Sequence, residues 1–214
     1  MSTSKRKSGK TAKIRQVKPE IRVLGIDDGV FTPHSKALVD VVGVVFRGGY
    51  WLDGFMHTRV QVDGMDATKR LTQMIVESPH YQQLRVIMLN GVTLGGFNVV
   101  DIAELHKKTK LPVIAVTRDN PSFEDIRKAL RNLPQMEERW KAIEKAGRIL
   151  RVRTRKGEDP IYAHAVGIPE ETAERIMKST STRSNIPEPL RVAHIIASGL
   201  RLQQSVFGIN DSRE

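Results

Sequence analysis

Apolar residues occur along this chain in two patterns, short continuous runs and longer stretches with helical spacing. The run that starts at Ile21 is rich in β-branched residues, which favours a buried strand ending at two adjacent carboxylates, Asp27 and Asp28. Residues 37–47 and 50–62 have the same character, and Gly48-Gly49 between them is typical of a two-residue hairpin. The pattern therefore predicts three consecutive strands near the start of the chain.

Helical spacing follows these strands, from Asp66 to about Ser78, where Leu71, Met74 and Ile75 share one face. The continuous apolar run at 84–89 predicts a central parallel strand, and a glycine-containing loop is expected at 92–98. The remaining segments predict strands at 112–117, 148–155 and 161–166 and helices at 99–108, 121–133, 135–146, 169–178 and 187–202. This order resembles the ribonuclease H-like fold, an α/β fold with a mixed sheet flanked by helices, in which the second strand runs antiparallel to the rest.

Polar side chains occur at the ends of three predicted strands. Asp27 or Asp28 ends the first strand, Asp63 the third and Asn90 the fourth. These ends can come close in such a sheet, and a charged carboxylate is costly to bury unless it is paired or bound to a metal. The three oxygen-bearing side chains indicate a Mg²⁺ or Mn²⁺ site, although each alone is also typical of a turn. Neighbouring strand residues point to opposite faces, so only one of Asp27 and Asp28 is expected at the metal.

The composition of the chain indicates a polyanionic partner. The chain has 214 residues, 39% of them hydrophobic, which is enough for a sizeable core. Its net charge of +11 and its pI near 10.1 favour a nucleic acid, DNA or RNA, as the partner. Seven cations precede the first acidic residue, Glu20. We therefore expect a disordered basic arm at 1–19 that contacts phosphates, followed by a single domain at 20–207.

Two absences in the sequence narrow the class of protein. No apolar run approaches the ~20 residues that span a bilayer, and the basic N-terminus is not followed by the apolar segment of a secretory signal. The chain contains no cysteine, which excludes disulfides and cysteine-based zinc sites. We therefore expect a cytoplasmic protein without a membrane partner.

Several motifs between Val23 and Ser198 resemble one known family. The phrases Gly-Ile-Asp-Asp-Gly, Asp-Gly-x-Asp-Ala-Thr and Gly-Phe-Asn-Val-Val-Asp-Ile resemble the archaeal proteins of domain of unknown function family 99 (DUF99), distant relatives of endonuclease V. Gly25-Ile26-Asp27 is similar to the Gly-x-Asp of endonuclease V, and Asp63-Gly64 and Asn90-Gly91 lie where that family has Glu-Gly and Asp-Gly. The most specific match is to its C-terminal Pro-Glu-Pro-Thr-Arg-x-Ala motif, by residues 187–194, which read Pro-Glu-Pro-Leu-Arg-Val-Ala-His.

The resemblance implies metal-assisted hydrolysis of a phosphodiester, with Asp27, Asp63 and His194 as catalytic residues. It also implies that Asp27, Asp63 and Asn90 hold Mg²⁺ or Mn²⁺, which lowers the pKa of an attacking water. His194 would contact the metal through water or protonate the leaving oxygen, unless it is an ordinary helix histidine with a local hydrogen bond. Because Asn90 replaces a carboxylate of endonuclease V, weaker cation binding is expected.

Further residues are expected to contact nucleic acid. By the resemblance, Arg118 occupies a lysine position of endonuclease V, and Arg191 belongs to the C-terminal motif. Trp51 lies in the region of the base-contacting wedge of endonuclease V, where it would either stack on a base or pack in the core. A spacing of two residues predicts that one strand face carries Arg151, Arg153 and Arg155. This face would either line a nucleic-acid groove or protect a sheet edge.

Two functions remain open from the sequence. The first is a divalent-metal-dependent endonuclease, which the retained Asp27, Asp63 and His194 favour. The second is a catalytically impaired nucleic-acid-binding homologue that does not cleave inosine-containing substrates, which Asn90 favours. A small-molecule phosphotransferase ranks last, because no glycine-rich phosphate loop of the Walker type is visible.

Overall fold

The computed structural model describes residue 14 and residues 16–207, with 201–207 described only as part of a helix. Most of the predicted basic arm, residues 1–13 and 15, therefore lies outside the described residues. Ile14 and Val17, within the same predicted arm, pack against one of the buried hydrophobic clusters. The carbonyl of Lys18 accepts a hydrogen bond from the amide of Ile21 at 3.1 Å. The packed part of the chain thus includes residues upstream of 20, the boundary predicted for the domain.

A seven-stranded mixed sheet forms the centre of the domain. The strands are β1 (Arg22–Asp28), β2 (Leu38–Arg47), β3 (Trp51–Gln61), β4 (Val86–Asn90), β5 (Thr93–Leu94), β6 (Asn98–Val99), β7 (Val113–Thr117), β8 (Leu150–Val152) and β9 (Ile161–Val166). Their order in the sheet is β3-β2-β1-β4-β7-β9-β8, while β5 and β6 form a separate two-stranded hairpin.

The central strands have the directions of a ribonuclease H-like sheet. Strands β1, β4 and β7 are parallel, and β2 lies antiparallel between β1 and β3. The predicted antiparallel direction of β2 relative to its neighbours is confirmed. A further antiparallel pair occurs at the other side of the sheet, where β9 returns from β8 as a hairpin and pairs with β7. Strand β8 is shorter than the predicted strand 148–155, since only Leu150–Val152 pair with β9.

Helices cover both faces of the sheet. They are α1 (Ala67–Glu77), α2 (Ile102–Thr109), α3 (Phe123–Leu130), α4 (Met136–Glu144), α5 (Glu170–Thr180) and α6 (Glu188–Phe207), with a short 3-10 helix at Tyr81–Gln83. Alternating residues of β1 supply both layers: Leu24 and Ile26 pack towards α1 and α2, whereas Val23 packs towards α5 and α6. Within the described part of the chain, no helix is long and apolar enough to cross a membrane.

Helix α6 lies close against β1 because glycines leave room for it. A Cβ added to Gly25 would lie 2.4 Å from backbone atoms of Pro189, and one added to Gly29 would lie 2.8 Å from the carbonyl oxygen of Ala197. At the start of α6, the buried carboxylate of Glu188 pairs with Arg191 at 2.8 Å. These contacts bring the C-terminal motif onto β1, the strand that carries Asp27.

The segment predicted as a loop at 92–98 forms most of the β5–β6 hairpin. Val99, predicted to begin a helix, ends β6 instead, and α2 begins at Ile102. Its turn uses Gly95 and Gly96, both with positive φ, at +54° and +83°. Helices α3 and α4 pack against this hairpin through a small buried cluster of Val99, Leu130 and Ile143. The hairpin therefore connects the α3–α4 pair to the carboxyl edge of the sheet.

Candidate active site

Asp27 and Asn90 meet at the carboxyl ends of two neighbouring parallel strands. The register of β1 and β4 places Ile26 opposite Leu89, so the next residue of each strand lies at the same edge. The Asn90 side-chain amide donates to both carboxylate oxygens of Asp27, at 3.1 Å each. The structure thus brings together two of the three residues that the sequence places at a metal.

His194 completes this arrangement from helix α6. Its Nδ1 lies 2.9 Å from Oδ2 of Asp27, and the backbone amide of Asp28 donates to Oδ1 of Asp27 at 3.0 Å. Asp27 is only 2% exposed, whereas the His194 side chain is 61% exposed. A buried carboxylate is therefore linked to the surface through an imidazole ring that solvent or a ligand can reach.

The electrostatics of this site are unfavourable for a negative charge. Burial, together with the neighbouring charge of Asp28, raises the pKa of Asp27 to about 6, against the opposing hydrogen bonds from Asn90 and Asp28 and the charge of His194. Burial also raises the pKa of Asp28, although its bond from the Gly95 amide opposes the shift. Ionising these two carboxylates therefore carries a cost, which a bound cation would offset.

Asp28 and Asp63 both bind the turn of the β5–β6 hairpin. The amide of Gly95 donates to Asp28 at 2.7 Å, and the amide of Phe97 donates to Asp63 at 2.9 Å. The amide of Asp63 in turn donates to the Gly95 carbonyl at 2.8 Å, and the ring of His34 lies 3.4 Å from the Asp63 carboxylate. These two carboxylates therefore share a glycine turn, while Asp27 contacts Asn90 and His194.

The donor set around Asp27 contains one carboxylate, one amide and one imidazole. Among the described residues, no group of three or more His, Cys, Asp or Glu side chains is placed to hold a metal ion. Asp63 contacts the glycine turn and His34, not Asp27, in the interactions that the structure gives it. Carboxylate and amide oxygens suit Mg²⁺ or Mn²⁺, and Mg²⁺ commonly uses one or two carboxylates and keeps several waters. The Asn90 amide presents its nitrogen to Asp27, so its oxygen would reach a cation held by Asp27 only after the amide turns over.

Arg139 is a residue that the sequence analysis missed. Its guanidinium, on α4, is 1% exposed and donates to four backbone carbonyls, those of Asp63, Gly64, Phe97 and Pro134. Burial lowers the pKa of Arg139 against the opposing charges of Asp63 and Glu138. The Arg139 guanidinium therefore connects the loop of Asp63 to the hairpin turn. No sequence signal distinguishes this residue from an exposed helix arginine.

The predicted nucleic-acid residues lie in different places. Trp51 is 58% exposed at the start of β3, with the guanidinium of Arg47 6.0 Å from its ring centroid, so the alternative that it packs in the core is excluded. Arg118 is exposed directly after β7, at the same edge of the sheet as Asp27 and Asn90. Arg191 is bound to Glu188 by three hydrogen bonds of 2.8–3.1 Å. It lies on α6, the helix that also carries His194.

The three arginines predicted on one strand face do not share a strand. Only Arg151 belongs to β8, at the sheet edge, while Arg153 and Arg155 follow it in the chain. Arg155 binds Glu158 at 2.8 Å and the Thr182 carbonyl at 2.5 Å, which fastens two loops together. The prediction of a single period-two face is wrong here because the strand ends at Val152.

Comparison with known proteins identifies relatives along most of the chain. The sequence pattern of a family described as Endonuclease dU matches residues 19–201. A UPF0215 protein of Methanothermobacter thermautotrophicus is 55% identical over 192 residues, which cover 89% of this chain and 93% of the relative. The DUF99 resemblance stated from the motifs is thereby confirmed, since DUF99, UPF0215 and this family are one group.

Solved structures show the same fold. A protein of unknown function from Archaeoglobus fulgidus is 38% identical, with a TM-score of 0.76 over 84% of this chain and 98% of that one. Endonuclease V of Ciona intestinalis, solved with a 24mer DNA that contains an inosine, is 18% identical with a TM-score of 0.56 over 86% of this chain and 87% of that one. The latter likeness shows the fold alone and confirms the ribonuclease H-like, endonuclease V-like architecture.

Proposed function

This chain belongs to the Endonuclease dU family, and from that membership we propose that it is a divalent-metal-dependent endonuclease acting on nucleic acid that contains deoxyuridine. The family description names both an endonuclease and dU, the abbreviation of deoxyuridine. The net charge of +11 is consistent with a polyanionic substrate. Inosine specificity is not part of the proposal, because Tyr50-Trp51-Leu52 replaces the wedge expected from endonuclease V.

The observation that carries the proposal is the carboxylate of Asp27, 2% exposed and held between Asn90 and the exposed ring of His194. A protein gains no packing from an ionised carboxylate there, and burial raises the pKa of Asp27, which shows that its charged form is destabilised at this position. Perturbed acids of this kind are common at functional sites. The location at the carboxyl edge of the parallel strands also fits a site, because ligands of open α/β sheets bind there.

The residues of this site divide the chemistry between them. Asp27 and Asn90 would hold a Mg²⁺ or Mn²⁺ ion, which would polarise the phosphate and lower the pKa of a bound water. Asp27 also orients His194 by accepting from its Nδ1, so that Nε2 is the atom that exchanges a proton with the leaving oxygen. Asp28 and Asp63 act indirectly, since both shape the Gly95–Phe97 turn beside the site.

The impaired binding homologue is the second candidate, and one observation favours it. The Asn90 amide nitrogen donates to both oxygens of Asp27, so the site holds itself together without a cation. A protein with this arrangement could retain nucleic-acid affinity while lacking the charge needed to bind a metal tightly.

A cleavage panel separates the two candidates. Labelled oligonucleotides that carry deoxyuridine, inosine or no lesion, single-stranded and duplex, are incubated with Mg²⁺, with Mn²⁺ and with chelator, and their binding is measured in chelator. The proposal expects cleavage near deoxyuridine with either metal and none in chelator. Binding of all substrates without any cleavage would contradict the endonuclease and favour the impaired homologue.

A further inference from the structure

An open groove lies between α3 and α4, and none of the residues around Asp27 lines it. It encloses about 350 Å³, and we call it the helix groove. Its lining residues are Phe123, Glu124, Arg127, Lys128, Arg131 and Trp140. The rings of Phe123 and Trp140 meet edge to face with their centroids 6.1 Å apart, and the guanidinium of Arg127 lies 5.4 Å from the Trp140 centroid.

The charges of the helix groove are predominantly positive. Lys128 pairs with Glu124 at 2.9 Å, and the indole nitrogen of Trp140 donates to Glu144 at 2.7 Å. In the part of the chain that the structure describes, Arg127 and Arg131 are both exposed and form no salt bridge. The groove therefore offers two guanidinium groups without salt-bridge partners beside an aromatic pair.

The helix groove is connected to the site by packing and by topology. Trp140 and Phe97 pack against the same small buried cluster, and the Phe97 amide binds Asp63. The carboxyl ends of β1, β4 and β7 follow one another along one edge of the sheet, and the chain that leaves β7 passes through the exposed Arg118 into α3. A nucleic-acid strand that follows this edge from Asp27 would reach Arg118 and then the groove.

We propose that the helix groove binds a single-stranded segment that flanks the scissile phosphodiester, with bases stacked on Trp140 and Phe123 and phosphates bound by Arg127, Arg131 and Lys128. This inference rests on the proposed function, because it extends that substrate beyond the site at Asp27. Aromatic platforms interleaved with cations are the usual means of binding single strands without sequence preference. The partner is therefore a nucleic-acid strand rather than an acidic protein, which would not need the aromatic pair.

Trp140 provides a direct probe of the groove. The chain has only two tryptophans, so the Trp51→Phe protein reports on Trp140 alone. This protein is titrated in chelator with a single-stranded deoxyuridine oligonucleotide, which measures binding independently of cleavage. We expect quenching of the Trp140 emission that saturates with the binding isotherm measured by anisotropy of a labelled strand.

The decisive variant removes the three cations, as Arg127→Gln, Lys128→Gln and Arg131→Gln, in the same Trp51→Phe background. The matched control removes three exposed lysines beside the amino end of β7, as Lys107→Gln, Lys108→Gln and Lys110→Gln, where Lys108 pairs with Glu104 much as Lys128 pairs with Glu124. We expect the groove variant to bind about tenfold more weakly and to lower the salt slope by about 2, since each phosphate contact contributes about 0.7 on single strands. The control should keep the affinity and the slope.

The outcomes separate this inference from the proposed function. The wild-type protein could cleave and bind the strand while the Trp140 emission stays unchanged and the two triple variants bind with equal affinity. That result would overturn the proposed role of the groove and leave the endonuclease proposal intact. Loss of affinity in the groove variant without any cleavage by the wild type would support the groove and contradict the endonuclease. A wild-type protein that bound no oligonucleotide would overturn both.

Discussion

Replacing Asp27 by Asn should make the metal-free protein more stable at neutral pH. Burial raises the pKa of Asp27 from 3.8 to about 6. Between these values the folded protein holds more protons than the unfolded chain, so its stability falls as the pH rises from about 4 to about 6. The shift corresponds to about 3 kcal/mol at pH 7.5, where Asp27 is charged in both states.

The substitution Asp27→Asn removes that penalty and keeps most of the local contacts. The new amide oxygen accepts from Asn90 and from the Asp28 backbone. The new NH2 group replaces the oxygen that accepts the second Asn90 bond and contacts His194, and the loss of these contacts costs about 1–2 kcal/mol. We therefore expect a net gain of about 1–2 kcal/mol at pH 7.5, or about 2–8 °C in Tm for a chain of this size. At pH 4.5 the gain should be about 2 kcal/mol smaller, because Asp27 is then largely protonated in the folded state.

Thermal melting in chelator at both pH values measures this effect, with Asp159→Asn as an exposed control that should leave Tm unchanged. Adding Mn²⁺ at pH 7.5 should raise the Tm of the wild-type protein and not that of Asp27→Asn, because the cation needs the carboxylate. If Asp27→Asn were less stable than the wild type in chelator at pH 7.5, the carboxylate would be a structural group and the argument from its burial would fail.

Three further substitutions test other contacts. Arg139→Met should lower the free energy of unfolding in urea by about 2–5 kcal/mol, because buried carbonyls lose their donor. The control Arg148→Met, at an exposed position, should lower it by under about 0.5 kcal/mol. A loss under about 1 kcal/mol for Arg139→Met would contradict the carbonyl contacts. Asn90→Asp should tighten Mn²⁺ binding in calorimetry and lower Tm in chelator through repulsion with the adjacent carboxylates, and an unchanged affinity would remove Asn90 from the cation site. Gly25→Ala should cost about 1–3 kcal/mol by forcing α6 away from β1, and a change in the NMR chemical shifts of the His194 ring would show the displacement at the site.

Much of the architecture follows from apolar patterns in the sequence. The continuous or β-branched runs predict β1, β2, β4 and β7 within one or two residues at most ends, because strands buried on both faces leave no other interpretation. Helices α1 and α6 are also predicted, since α1 has a regular apolar face and α6 begins after a proline. The meeting of Asp27 and Asn90 follows from the parallel register alone.

Other features have no signal in the sequence. Strands β5 and β6 have two residues each, too few for any periodicity, and their turn depends on tertiary contacts from Asp28 and Asp63. The direction of the Asp63 side chain depends on its left-handed φ of 52°, which no local pattern predicts. Arg139 occurs in a helix rich in charges, and only the packing of α4 on the hairpin shows that it is buried.

Single-turnover cleavage of a deoxyuridine-containing strand by Asp27→Asn tests the central claim most directly. The reaction is followed in Mg²⁺ beside the wild type and the exposed control Asp159→Asn, with equal strand binding verified in chelator. The account predicts a loss of at least about 10³-fold for Asp27→Asn and wild-type rates for Asp159→Asn, since removing a group that activates the nucleophile typically costs that much. Cleavage by Asp27→Asn at the wild-type rate would contradict the assignment of the site to Asp27, Asn90 and His194.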